Sequence, residues 1–186
     1  MSGSALTEPI ETRWIVISGP PSSGKTTTLD WFGERGEIVS QDSTRRLLAQ
    51  VAAEGRDLEE FRFAEDFQPR VLEAMEAAEG LLDPNQRSFL EYALPCNIAF
   101  HRTESLALTA GLAEAASRYR YEAVVLLDPL PWTSDAERVE DAEYQVAVHR
   151  HMIEVYTELG YDPIRIEAMD PERRFDVIVE RLGLDI

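Results

Sequence analysis

The chain has 186 residues, 44% hydrophobic and 28% charged, which excludes wholesale disorder, a collagen-like fibre or a coiled coil and fits one globular domain. Its 18 basic and 35 acidic residues leave a net charge of −17, a field that repels phosphate backbones and anionic membranes and argues against general nucleic-acid binding. A single cysteine, Cys96, excludes an intramolecular disulfide, and no apolar run is long enough to span a bilayer, so the cytoplasm is the expected location.

Residues 1–12 are polar, lack the basic and apolar regions of a signal peptide, and read as a tail ahead of a domain over 13–186. Trp14-Ile15-Val16-Ile17 is an apolar, β-branched run that stops at Ser18-Gly19-Pro20-Pro21, which predicts a buried strand entering a loop. A helix is expected from Gly24 to about Glu34, ending near Gly36. Ile38-Val39-Ser40 is a short strand, followed by a helix over Thr44–Ala53 capped by Asp42 or Ser43. Apolar residues spaced by three and four predict mostly helix over Leu58–Leu82. Asp83-Pro84-Asn85 breaks the chain, and Ser88-Phe89-Leu90 is a further strand.

A helix is expected over Asn97–Tyr119 and a fully apolar strand over Ala123–Leu127. Asp128–Trp132 is loop, and a long helix runs from Ser134 or Asp135 to Leu159, with Gly160 at its C-cap. Pro163–Ile166 is the last strand and Pro171–Leu182 the closing helix. Strands alternating with helices predict an α/β domain, a mostly parallel five-stranded sheet with helices on both faces.

Gly19-Pro20-Pro21-Ser22-Ser23-Gly24-Lys25-Thr26 satisfies G-x-x-x-x-G-K-[ST] at every fixed position. In that motif the backbone amides wrap a di- or triphosphate, the lysine reaches the β/γ-phosphates, and the Thr26 hydroxyl binds Mg²⁺. The helix after Gly24, with Thr27 in its first turn, turns its positive end to the same phosphates. Seventeen of the 18 basic residues are arginine, and the only lysine is Lys25. Nucleotide binding, with ATP and Mg²⁺ as cofactors, is therefore expected of Gly19–Thr27. An Asn/Thr-Lys-x-Asp guanine motif cannot exist in a chain whose one lysine is already in the loop.

Ser88–Arg102, with Ser88-Phe89-Leu90-Glu91 and then Leu94-Pro95-Cys96, resembles the nicotinamide-riboside-kinase-like family of P-loop domains, often described only as AAA domains. The resemblance runs from Trp14 to Leu182 and implies a three-layer P-loop NTPase fold with a kinase-like lid. That family has a strand, Asp-Arg-Gly, a Leu-Pro-like spacer and a second Asp. Carried over, Glu91 is the strand-end acid that orients Mg²⁺ or takes the proton of a substrate hydroxyl. Asp42 and Arg45 match the family's acid-x-x-Arg facing the acceptor, where Asp42 holds a hydroxyl and Arg45 an anionic group. Arg138 falls in the lid segment, where an arginine stabilises the transferring phosphoryl. The chain departs from the family at Tyr92 and Cys96, which replace its Arg and second Asp.

The sequence reading is thus a kinase that transfers the γ-phosphoryl of Mg·ATP to a small hydroxylated metabolite, a nucleoside-like one included, as a monomer or the homodimer common in such kinases. The alternative is a nucleotide-binding regulator, or slow NTPase, acting through a protein partner. Elsewhere, His101, His149 and His151 lack metal-ligand spacing with Cys96. Cys96 reads as a small buried thiol, and Tyr119-Arg120-Tyr121 as a helix end.

Overall fold

The computed structural model describes residues 8–130 and 142–186. Its elements are β1 (Ile10–Glu11), β2 (Trp14–Ser18), α1 (Lys25–Glu34), β3 (Ile38–Ser40), α2 (Ser43–Ala53), α3 (Leu58–Arg62), α4 (Phe67–Gly80), β4 (Ser88–Glu91), α5 (Leu94–Thr103), α6 (Leu112–Ala115), β5 (Tyr119–Arg120), β6 (Ala123–Leu127), α7 (Ala142–Glu158), β7 (Ile164–Ile166) and α8 (Pro171–Leu182). Five strands form one parallel sheet in the order β3-β4-β2-β6-β7.

The centre of that sheet follows from its sequence. Trp14–Ile17 and Val124–Leu127 are apolar at every position, as strands covered on both faces must be. Period-2 alternation divides their side chains between two cores. Trp14, Val16, Leu90, Val124 and Leu126 face α2, α4, α5 and α7. Ile15, Ile17, Phe89, Val125 and Leu127 face α1 and α8, where Phe32 stacks on Phe89 with ring centroids 3.8 Å apart. Three layers result, helix–sheet–helix. The expected α/β architecture with a parallel five-stranded sheet is present.

The elements differ from the sequence expectation in three places. The helix expected over Leu58–Leu82 is two helices, α3 and α4, because Pro69 tolerates only a first helical turn and the chain restarts just ahead of it. The helix expected over Asn97–Tyr119 begins earlier, at Leu94, with Pro95 in its first turn, and ends at Thr103. Ser105 there adopts φ 56°, Leu106 N closes on His101 O at 2.8 Å, and Thr109 Oγ1 lies 3.0 Å from His101 Nε2, which fixes the following loop. Tyr119–Arg120 then form a strand, because Tyr119 packs on Trp14 at 4.7 Å between centroids and β5 pairs in parallel with β1. That pairing also orders Ile10 and Glu11, at the end of the segment read as a tail. The expected start of the long helix, at Ser134 or Asp135, lies outside the described residues.

No described helix is long and apolar enough to cross a membrane.

Candidate functional site

The site forms where the strand order reverses, at the C-terminal edge of β2, the position where ligands bind in open α/β sheets. Gly19 has φ 146°, and a Cβ there would come within 2.5 Å of Leu127 O and 2.8 Å of Ser23 Oγ. Only glycine lets the loop turn so close to β6. Ser22 at φ 60° and Gly24 at φ 90° continue the turn into α1. Lys25 Nζ donates to Pro20 O at 2.8 Å and to Ser23 Oγ at 3.4 Å.

Behind the loop, Arg174 of α8 donates to Ser23 O at 2.6 Å, to Asp128 O at 2.8 Å and to Ile166 O at 3.1 Å. This buried guanidinium ties the loop to the ends of β6 and β7. No local signal in the sequence marks Arg174; its partner Ser23 is 151 positions away.

Lys25 is 5% exposed, and burial lowers its pKa to about 8 despite the opposing pull of Glu91 and Asp42. Its ammonium lies 4.6 Å from the Tyr92 ring centroid, a cation–π contact. A buried ammonium held by two neutral acceptors and a ring face suits an anionic ligand, and the first-turn amides of α1 face the same way. Tyr92, at φ 60°, is thus a neutral surface under the lysine.

Glu91 ends β4, which the register sets beside β2, pairing Glu91 with Ile17. Its Oε1 accepts from Thr26 Oγ1 at 3.1 Å, and its Oε2 accepts from Asp42 N at 3.4 Å. The sequence separated Thr26, Asp42 and Glu91, and the fold joins them. Asp42 also caps α2, its Oδ1 accepting from Thr44 N and Arg45 N. Mg²⁺ is held by one or two protein oxygens together with ligand phosphates, and Thr26 Oγ1 with Glu91 fits that donor set. Among the described residues no group of three or more His, Cys, Asp and Glu forms a closed metal cage.

A cavity of about 680 Å³ opens from the loop. Pro21, Ser22, Gly24, Lys25, Thr26 and Thr27 line its phosphate end, and Asp42, Arg45 and Glu91 its side. Arg62, Gln68 and Asn97 also reach it; nothing local in the sequence marks them, since they come from three separate helices, α3, α4 and α5. Arg138 lies outside the described residues.

Cys96 is fully buried between Ser18 Oγ at 3.2 Å and Tyr156 OH at 3.1 Å, and burial raises its thiol pKa. His149 Nε2 lies 2.9 Å from Asp128 Oδ1 at the end of β6, and burial lowers its pKa.

A family described as "AAA domain" matches residues 14–174. The chain belongs to that family. The AAA domain is similar in structure to NadR protein in complex with NR, at TM-score 0.71 and 16% identity, over 94% of this chain and 53% of that one. It therefore spans about half the length of the NadR chain it matches. It is also similar to deoxyadenosine kinase from M. mycoides with products bound, at TM-score 0.62 and 14% identity, over 91% and 98% of the two chains. Thymidylate kinase from Ehrlichia chaffeensis matches at TM-score 0.55 and 14% identity, over 94% and 100%. These likenesses show a three-layer P-loop NTPase fold. The comparison with curated proteins yields no match at a significant level.

Proposed function

We propose that this AAA domain is a small-molecule kinase. It binds Mg·ATP on Gly19–Thr27 and transfers the γ-phosphoryl to a small hydroxylated acceptor in the adjoining cavity. The observation that carries this reading is the contact between Thr26 Oγ1 and Glu91 Oε1 at 3.1 Å, beside the buried ammonium of Lys25 and open to the cavity.

In this reading the loop amides and Lys25 bind the β- and γ-phosphates, and Thr26 and Glu91 hold Mg²⁺. The metal, when bound, neutralises charge that develops on the phosphate oxygens. Asp42 receives an acceptor hydroxyl and Arg45 an anionic group. Arg138, outside the described residues, keeps the lid role that the family resemblance gives it. Positioning and charge neutralisation supply most of the rate in phosphoryl transfer. The neighbours support a kinase, since two of the three are kinases by name and the third holds NR. The lone, buried Cys96 and the ATP requirement suit the cytoplasm.

The test is transfer of label from γ-labelled ATP to a panel of nucleosides and nucleoside monophosphates, for wild type, Lys25→Ala and Glu91→Gln. Transfer by wild type alone supports the kinase. ATP binding without transfer to any acceptor favours the second reading, a nucleotide-dependent regulator. The observation on that side is Tyr92, which sets a neutral ring where the resembling family has a guanidinium, one cation fewer at the transferring group.

A further inference from the structure

Six charged side chains among the described residues line the cavity: Lys25, Asp42, Arg45, Arg62, Glu91 and Glu104. All three carboxylates are engaged. Asp42 caps α2, Glu91 holds Thr26 and the Asp42 amide, and Glu104 accepts from Tyr144 OH at 3.0 Å. Lys25 belongs to the phosphate loop. The guanidiniums of Arg45 and Arg62 make no hydrogen bond or ion pair among the described residues, although the chain carries 35 acidic residues. Several other arginines are paired, as in Arg87–Glu37, Arg102–Glu158 and Arg118–Glu76.

A second observation lies deeper. Asn97 is 4% exposed and lines the same cavity, yet its Nδ2 has no hydrogen-bond partner among the described residues. A buried unpartnered amide is costly unless a ligand completes it. Tyr92 and Phe100 stand beside it, edge to face with centroids 5.6 Å apart, and give the cavity an aromatic wall.

We propose that the acceptor bound here is anionic and ring-bearing, of the class of nucleoside monophosphates and not free nucleosides. Its phosphate monoester sits on Arg45 and Arg62, its ring lies against Tyr92 and Phe100, and a ring carbonyl or nitrogen accepts from Asn97 Nδ2. Guanidinium–phosphate pairs are strong and directional, and neither arginine has another partner to give up among the described residues. The inference rests on the kinase reading above, because the acceptor is defined by its place beside the phosphate loop.

Calorimetric titration tests it on the full chain saturated with a non-hydrolysable Mg·ATP analogue, which keeps the monophosphates out of the phosphate loop. The ligands are adenosine, guanosine, cytidine, uridine and thymidine, each paired with its 5′-monophosphate. For at least one pair, the monophosphate is expected to bind roughly tenfold tighter or better. Arg45→Ala and Arg62→Ala each shrink that ratio, and both residues are exposed, so the fold survives the change. Asn97→Ala weakens both members of the pair alike and leaves the ratio intact. Equal affinity within every pair, no binding by any monophosphate, or a ratio that survives both arginine substitutions overturns the inference. Stabilisation by the analogue is recorded on the same sample. If the analogue stabilises the protein while no phosphate preference appears, the nucleotide site stands and this inference alone falls. If the analogue gives no stabilisation, both fall.

Discussion

Thr26 Oγ1 donates to Glu91 Oε1 across 3.1 Å, joining the first turn of α1 to the C-terminal end of β4. The two residues are 65 positions apart, and the parallel pairing of β2 with β4 brings them together. A hydroxyl and a carboxylate in contact beside a phosphate-binding loop would supply two oxygens to the Mg²⁺ of the proposed nucleotide complex, the rest coming from phosphate and water.

Glu91→Gln separates metal binding from phosphate binding. The amide still accepts from Thr26 but brings no charge to the cation. The variant is expected to bind ATP without Mg²⁺ as wild type does and to lose most of the added affinity that Mg²⁺ confers. Titration of ATP with and without Mg²⁺ measures both. Equal Mg²⁺ dependence in the two proteins contradicts the assignment.

Lys25→Met is expected to stabilise the ligand-free protein. Burial lowers the lysine from its ordinary 10.5 to about 8, so near neutral pH the folded state holds a proton less tightly than the unfolded chain does. That difference costs about 3 kcal/mol below pH 8 and fades as pH rises from 8 towards 10.5, where the native lysine is already neutral. Methionine removes the charge and keeps the packing. Denaturant unfolding at pH 7 should show the variant ahead by roughly 1–3 kcal/mol after loss of the cation–π contact, with the gap closing by pH 10.

Glu79 gives a test with the opposite sign. It is 3% exposed, accepts from Leu94 N and Tyr121 OH, and burial raises its pKa to about 7. The native state therefore binds the proton more tightly than the unfolded chain. Stability from this group is full below about pH 4.5 and is lost as pH rises through 7. Glu79→Gln abolishes the loss. Its stability relative to wild type should grow by about 3 kcal/mol between pH 4.5 and 8. Unfolding of both proteins across that range checks it, and a constant difference contradicts it.

Gly19→Ala should damage the loop. The new Cβ would meet Leu127 O at 2.5 Å, at a φ that L residues avoid. Strain of about 2–3 kcal/mol is expected, with loss of nucleotide binding as the loop shifts to relieve it. Retained affinity and an unchanged midpoint would contradict the packing described.

The sequence carried the framework because the framework is local. An apolar run, a Gly-rich turn and a helix start define β2, the loop and α1 within about 20 contiguous residues. The helix cap at Asp42 or Ser43 was legible for the same reason, as the boundary of one element, whereas Glu91 was placed at a strand end by the family resemblance. Arg174 was not legible, because its partners Ser23, Asp128 and Ile166 belong to three other segments. Asn97 and Arg62 acquire meaning only from the cavity they share. The pairing of Ile10 with Tyr119 overrode local helix preference in the same way, through a contact across 109 positions.

The most direct test of the account is thermal unfolding of wild type and Lys25→Ala with and without Mg·ATP. A ligand at 100 times its Kd adds about 2.7 kcal/mol of stability. A raised midpoint is expected for wild type with Mg·ATP and none for Lys25→Ala. No shift for wild type at millimolar Mg·ATP, or an equal shift in both proteins, would contradict it.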